Sequence, residues 1–124
     1  MRFLGRREDA AELLGACDAL VLPARREGLG VAALQAMAAG RAVIGSAVGG
    51  LAEVLVERES GLLVPPEDAA GLAAAIEELY KDRALRERLA AGGRPRLEQG
   101  YLANQMVAAY DDMYRRVLAE SARA

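Results

Sequence analysis

The chain has 124 residues, with 16 Lys and Arg against 18 Asp and Glu, and a net charge of −2. That length suits one domain with a hydrophobic core of its own, so we treat residues 1–124 as a single domain. No basic block stands out, which argues against binding to nucleic acid. One cysteine and no histidine exclude an internal disulfide and a Ser-His-Asp triad, and they argue against a zinc site.

Two expectations about environment follow from the same composition. There is no run of 18 apolar residues and no secretory signal pattern, so we expect a cytoplasmic protein without a transmembrane segment. The lone cysteine, Cys17, lies between apolar residues at the end of a predicted helix. Such a position predicts a buried, structural thiol.

Strands and helices alternate over the first half of the chain. The predicted strands are "MRFLG", "ALVLP", "AVIGS" and "GLLVPP", at residues 1–5, 19–23, 42–46 and 61–66. Predicted helices fall within the three intervening segments, at residues 8–18, 29–40 and 47–61. Short apolar strands that alternate with helices are typical of a parallel sheet with helices on both faces.

The remainder of the chain has helical periodicity. We predict helices at residues 67–82, at 83–93 with an end at Gly92 and Gly93, and at 104–120, with fraying of residues 121–124. In the last helix Met106, Tyr110 and Met113 share one face with Val117. The fold class is therefore α/β, a partial Rossmann-like domain whose short parallel sheet of about four strands is flanked by helices and followed by C-terminal helices. Four strands are fewer than a complete doubly wound domain uses.

Two glycine-rich loops follow predicted strands, at residues 23–30 and 46–51. In doubly wound sheets, ligands bind outside the carboxyl ends of the strands. Each loop also opens a helix, whose free N–H groups suit a phosphate. Glycine at a strand–helix turn is equally explained by close packing, so the loops alone leave both interpretations open.

The helix after Gly30 is apolar on all sides except at Gln35, which predicts that it is buried. A buried amide needs hydrogen-bond partners, and these are either neighbouring backbone groups or a ligand. Glu27 presents a similar choice between an exposed loop acid and a carboxylate directed at sugar hydroxyls.

The segment from "EDAAELLGACDALVLPARREGLG" through "VAALQAMAAGRAVIGSAVGGLAEVL" to "GLLVPPEDAAGLAAAIEELYKD" carries several motifs in a fixed order. In this order it resembles the nucleotide-binding domain of retaining glycosyltransferases of the GT-B type, above all the family called glycosyl transferases group 1. The resemblance implies a nucleotide-diphosphate sugar as donor substrate, transfer of the sugar to an acceptor hydroxyl, and no cofactor. It assigns no catalytic residue and no metal ligand to this chain.

The resemblance also implies roles for individual residues. Glu27 matches an acid that contacts the donor sugar, and the turn after it presents backbone amides to the sugar and diphosphate. The implied substrate-binding set is Glu27, Gly28, Leu29, Gly30, Val31 and Gln35. A loop that borders the same cleft is matched by Val48, Gly49 and Gly50.

Gln35 departs from the family pattern. The family carries an acid at this position, separated from the first acid by seven intervening residues, and that acid holds the ribose hydroxyls. An amide lacks the charge that strengthens such hydrogen bonds. We therefore expect nucleotide binding to be weakened at Gln35.

Parts of the family pattern are not present in residues 1–124. The resemblance implies earlier strands that carry an arginine and a lysine for the diphosphate, and an N-terminal domain that binds the acceptor. We therefore expect this chain alone to have little or no transferase activity. One alternative is a non-catalytic half-domain kept for assembly, which forms a homo-oligomer through an exposed sheet edge. The other is a fragment similar to a sugar-nucleotide epimerase, against which the "EGLG" turn argues.

Overall fold

Three parallel strands form the sheet in the computed structural model, which describes residues 1–121. The strands are β1 Ala19–Leu22, β2 Ala42–Ser46 and β3 Leu62–Val64. The helices are α1 Ala10–Ala16, α2 Val31–Ala38, α3 Gly49–Val54, α4 Ala69–Lys81, α5 Arg83–Glu98 and α6 Ala103–Ser121. Of the segment expected to fray, residues 122–124 lie outside the described residues and Ser121 is the last residue of α6.

The strand β2 is the centre of the sheet, which has the order β1-β2-β3. Ala19 of β1 lies opposite Ala42, and Leu62 of β3 lies opposite Ile44. Every residue of β2 is buried, which explains its unbroken apolar run. The predicted parallel α/β architecture is confirmed.

Side chains on the two faces of the sheet form two core clusters. On one face Val43 packs with residues of α2 and α3, including Met37 and Leu51. On the other face Ile44 packs with Leu79 and other residues of α4 and α5. Consecutive residues of β2 thus enter opposite clusters, as the alternation of side chains along a strand requires.

The predicted first strand, residues 1–5, is wrong, so the sheet has three strands rather than four. No strand precedes β1 within residues 1–121, and Phe3 is 85% exposed. A strand forms only where its backbone pairs with a neighbour, and a short apolar run does not by itself provide one. The outer edge of β1 has no neighbouring strand within the described residues.

The prediction that Cys17 is buried is also wrong, because its side chain is exposed. Cys17 caps the C-terminus of α1, a helix that buries none of its residues. The thiol borders an open recess of about 490 Å³ beside β1, together with Ile76 and Tyr80 of α4. Apolar neighbours in the sequence therefore do not ensure that a side chain is buried in the folded protein.

The helix α5 continues beyond Gly92 and Gly93, where the sequence predicted its end. A Cβ atom at Gly92 would overlap the carbonyl oxygen of Glu59, and a Cβ at Gly93 would lie 3.0 Å from Cγ of Met37. The two glycines therefore allow α5 to pack closely against the α3–β3 turn and against α2. They mark a contact between elements, not a helix terminus.

The turn between α3 and β3 is held by one buried hydroxyl and one ion pair. The side chain of Ser60 is 1% exposed, and its Oγ accepts a hydrogen bond from the backbone N–H of Val56 at 2.9 Å. On the surface, Arg58 pairs with Glu78 of α4. The hydrogen bond from the Arg58 guanidinium holds the pKa of the Glu78 carboxyl below its usual value.

The predicted last helix is confirmed as α6, and the apolar face of this helix is half-exposed. Met106, Tyr110, Met113 and Val117 are each between 40% and 55% exposed, and no residue of α6 is buried. None of the helices within residues 1–121 is long and apolar enough to cross a membrane.

The close packing of α5 gives a stability prediction. We expect Gly92→Ala to lower the free energy of unfolding by about 1–3 kcal/mol, because the added methyl group displaces the α3–β3 turn. At Gly15 of α1 a Cβ would meet nothing within 4 Å, so Gly15→Ala should raise stability by up to about 1 kcal/mol. Urea unfolding followed by circular dichroism measures both, and equal effects would contradict the packing role of Gly92.

Candidate functional site

The candidate site lies at the carboxyl edge of the sheet, where the loop after β1 and the loop after β2 run side by side. The first loop, residues 23–30, leads into α2, and the second, residues 47–48, leads into α3. This is the edge at which α/β sheets bind ligands. The structure therefore brings both predicted glycine-rich loops together.

Two contacts fasten the first loop to the β2–α3 segment. The backbone N–H of Ala24 donates to Oγ of Ser46 at 3.1 Å. The backbone N–H of Gly50 donates to the carbonyl oxygen of Gly28 at 2.8 Å and to that of Glu27 at 3.4 Å. Gly28 is four residues after Ala24, and its partner Gly50 is likewise four residues after Ser46. We call residues 24–28 the anchored loop, since both of its ends are held by the β2–α3 segment.

The glycine pair at the start of α3 makes this contact possible. A Cβ atom at Gly49 would overlap the carbonyl oxygen of Glu27, and a Cβ at Gly50 would overlap that of Gly28. Gly49 is also left-handed, with φ of 44°. Close packing therefore explains both glycines. The preceding residue, Val48, is half-buried beside them, and ligand contact at the three residues stays a prediction.

Gly28 differs from the other glycines of the site. It is exposed, a Cβ atom there would meet nothing within 4 Å, and its φ is outside the left-handed region. The fold therefore does not require a glycine at this position. A glycine beside open space leaves the backbone accessible, so a ligand can approach it closely.

Gly30, in contrast, is required by the fold. It is buried and left-handed with φ of 80°, and a Cβ there would lie 3.0 Å from Cδ2 of Leu51. Gly30 is also the N-cap of α2, and no side chain caps the first N–H groups of this helix. These groups are the usual hydrogen-bond donors to an anion at a helix N-terminus.

The carboxylate of Glu27 accepts a hydrogen bond from within its own turn. The side chain is half-buried, and Oε1 accepts a hydrogen bond from the backbone N–H of Gly28 at 3.1 Å. The acid predicted to contact the sugar and the amide predicted to contact the diphosphate thus lie against each other. A ligand that uses either group competes with this hydrogen bond.

The prediction that α2 is wholly buried, and Gln35 with it, is wrong. The buried stripe of α2 consists of Ala33, Ala36 and Met37, whereas Gln35 is exposed. Alanine exposes little apolar surface, so a helix rich in alanine can lie at the surface at low cost. The amide of Gln35 is not a buried group in need of a partner. Leu29 and Val31 are also exposed, at 49% and 56%.

No individual role was predicted for four residues of this edge, although Arg25 and Ser46 lie within the two predicted loops. Ser46, Arg25, Glu67 and Asp68 border a recess of about 300 Å³ between the ends of the three strands. Arg25 Nε lies 2.8 Å from Oε1 of Glu67, a non-glycine residue with a left-handed φ of 63°. Asp68 caps α4 by accepting a hydrogen bond from the N–H of Gly71 at 2.8 Å. One available signal was the hydroxyl of Ser46 at the end of the apolar run "AVIGS".

The arrangement combines one carboxylate, one open glycine and an uncapped helix N-terminus. Carboxylates bind hydroxyl groups as acceptors, and free backbone N–H groups bind phosphate as donors. No group of His, Cys, Asp or Glu side chains that could hold a metal ion is found within residues 1–121. The geometry suits a ligand with both hydroxyl and phosphate groups.

The different roles of the glycines predict different effects on stability. We expect Gly50→Ala to lower the free energy of unfolding by about 1–3 kcal/mol, because the methyl group separates α3 from the anchored loop. Gly28→Ala should change it by less than about 0.5 kcal/mol, because the methyl group enters open space. Thermal and urea unfolding of the two variants check this. A comparable loss in Gly28→Ala would mean that the fold itself needs the glycine.

Comparison with known proteins gives one family for most of the chain. The model of the family described as glycosyl transferases group 1 matches residues 1–96, which include the whole candidate site. Residues 97–124, which include all of α6, lie outside this match.

Individual relatives agree with the family match. N-acetyl-alpha-D-glucosaminyl L-malate synthase of Bacillus anthracis is 32% identical over 118 residues, which are 95% of this chain and 31% of the relative. The solved sucrose-phosphate synthase of Thermosynechococcus elongatus is 36% identical, with a TM-score of 0.90 over 96% of this chain and 30% of that one. An Anabaena protein solved in complex with UDP-glucose shares the fold, with 24% identity and a TM-score of 0.81 over 96% of this chain and 32% of that one. The chain thus spans about three tenths of the length of these proteins.

Proposed function

The chain belongs to the glycosyl transferases group 1 family, and we propose that it forms the donor-binding part of a retaining glycosyltransferase. The donor is a nucleotide-diphosphate sugar, and no cofactor is needed. The observation that carries the proposal is the turn at Glu27 and Gly28. There a carboxylate and an open glycine lie within four residues of the uncapped start of α2.

Each group of the turn has a chemical task in this proposal. Glu27 accepts hydrogen bonds from hydroxyls of the donor sugar after it leaves the N–H of Gly28. The first N–H groups of α2 face the diphosphate, where they stabilise the negative charge that grows as the sugar leaves. Exposed Leu29 and Val31 border the ligand, as does Gln35 one turn further along α2.

This chain provides the donor-binding part of the reaction. The resemblance places the basic pair for the diphosphate, and the acceptor domain, in segments that residues 1–124 do not match. We therefore propose that donor binding is the activity of this chain and that transfer requires an acceptor domain. The family match favours a transferase over an epimerase-like protein. Self-association through the free edge of β1, and a cytoplasmic location, stay predictions.

Donor binding is tested with Gly28→Ala. We expect wild-type protein to bind UDP-glucose or GDP-mannose in isothermal titration calorimetry. Gly28→Ala should raise the Kd about tenfold, because its methyl group occupies the space of the ligand. Gly15→Ala, which adds a methyl group to α1 beside open space, is the matched control and should leave the Kd unchanged.

A transfer assay with the same sugar nucleotides, radiolabelled, completes this test. Little or no turnover by the isolated chain is expected. Robust turnover would contradict the need for an acceptor domain, and the absence of binding to every nucleotide sugar tried would contradict the donor-binding role.

The role of Gln35 is tested by restoring the family's acid. Gln35→Glu should lower the Kd for the nucleotide, because a carboxylate accepts from two ribose hydroxyls and carries the charge that strengthens these bonds. Since Gln35 is exposed, the substitution should change stability by less than about 0.5 kcal/mol. Titration of UDP and GDP into both proteins measures the effect, and an equal Kd would mean that this position does not contact the ribose.

A further inference from the structure

We propose that Ser46 is a positioning residue for the donor site, which acts by fixing the start of the anchored loop. The inference rests on the proposed function, because the site it positions is the one formed by Glu27 and Gly28. Ser46 is the last residue of β2 and is 3% exposed. Its hydroxyl therefore acts through the loop that it holds.

The hydrogen bond from Ala24 to Ser46 joins two different strand ends. Ala24 follows β1 directly after Pro23, and its N–H is shared between the carbonyl oxygen of Leu22 at 3.0 Å and Oγ of Ser46 at 3.1 Å. The bond to Leu22 joins the loop to the end of its own strand, β1, which pairs with β2 through Gly45. The bond to Ser46 joins the loop directly to the neighbouring strand, so it adds a second constraint on where the loop begins.

The anchored loop is short enough for its start to affect its end. Only Arg25 and Arg26 lie between the contact at Ala24 and the carbonyl oxygens of Glu27 and Gly28, which share the N–H of Gly50. Two residues fastened at both ends have little conformational freedom. If the contact at Ala24 is lost, the chain that leads into Glu27 gains freedom, and of these contacts only the N–H of Gly50 still holds the Glu27 turn. The fraction of molecules with Glu27 in the binding arrangement then falls, and the apparent affinity falls in proportion.

A second brace of the anchored loop is weaker. The ion pair of Arg25 with Glu67 connects the loop to the turn before α4, but its side chains are 84% and 66% exposed. Exposed ion pairs contribute little, because water screens them and long side chains lose entropy when they pair. The buried hydroxyl of Ser46 is shielded from water, and its short side chain loses less entropy than two long side chains when it accepts a backbone N–H. The positioning role therefore belongs to Ser46.

The chain contains a matched control for Ser46. Ser60 is 1% exposed, and its Oγ accepts a hydrogen bond from the N–H of Val56 at 2.9 Å. Both serines are thus buried hydroxyls that hold a backbone N–H, but Ser60 lies in the α3–β3 turn, outside the anchored loop. Removal of the Ser60 hydroxyl should cost at least as much stability as removal of the Ser46 hydroxyl, because the N–H of Ala24 keeps the carbonyl oxygen of Leu22 as a partner. Only removal of the Ser46 hydroxyl should affect the donor site.

The experiment compares Ser46→Ala, Ser46→Thr and Ser60→Ala in the 124-residue chain, with UDP-glucose as the probe. Ser46→Ala should raise the Kd about fivefold, the loss that corresponds to one hydrogen bond, and should speed amide hydrogen exchange in residues 24–28. Ser46→Thr keeps the hydroxyl and should restore both. Ser60→Ala should lose at least as much stability as Ser46→Ala in urea unfolding, with unchanged Kd and unchanged exchange in residues 24–28.

Two outcomes would overturn the inference. One is an equal Kd for Ser46→Ala and Ser60→Ala, and the other is unchanged exchange in residues 24–28 of Ser46→Ala. If wild-type protein binds neither UDP-glucose nor GDP-mannose, the proposed function fails and hydrogen exchange decides alone. Faster exchange confined to residues 24–28 then still supports the anchoring role of Ser46, and its absence refutes it.

Discussion

The carboxyl edge of the sheet depends on the approach of two backbones without side chains between them. The N–H of Gly50 reaches the carbonyl oxygen of Gly28 because neither Gly49 nor Gly50 has a Cβ atom. The next residue, Leu51, is fully buried and packs beside Gly30. One hydrogen bond thus connects the turn that carries Glu27 to the hydrophobic core. The site is held by the same packing that stabilises the fold.

The glycines at this edge of the sheet have two different roles. Gly30, Gly49 and Gly50 are needed for backbone conformation or close packing, whereas Gly28 faces open space with an ordinary φ. In the sequence the four are indistinguishable, since each lies in a loop before a helix. Only the positions of neighbouring atoms reveal which glycine the fold can spare. The spare one lies next to the carboxylate of Glu27.

Features that depend on neighbouring residues in the sequence could be predicted from it. The buried run of β2 and the periodicity of α4 and α6 follow from residue order alone, and the rule for α/β sheets placed the site at the strand ends. Features that depend on contacts between residues far apart in the sequence could not be predicted. Residues 1–5 lack a strand because no partner strand meets them, and α5 passes through Gly92 because that glycine faces the α3–β3 turn.

The same distinction applies to burial and to the site. Cys17 and Gln35 have apolar neighbours in the sequence but lie on the outside of their elements. The positions of Glu27 and Gly28 could be predicted because a resemblance supplied their roles. Ser46 could not, because its importance comes from a hydrogen bond to a residue 22 positions away.

The equal spacing of the two contacts along the anchored loop limits how this surface can change during evolution. Side chains at Arg25 and Arg26 are exposed, so substitutions there alter the charge offered to a ligand without disturbing the contacts. An inserted or deleted residue between Ala24 and Gly28 would put one contact out of step with the β2–α3 segment, where four residues also separate the partners. The exposed side chains of the anchored loop can therefore change, whereas its number of residues is fixed by the two contacts. Recognition of different ligands at this edge is therefore expected to evolve through substitutions rather than through insertions.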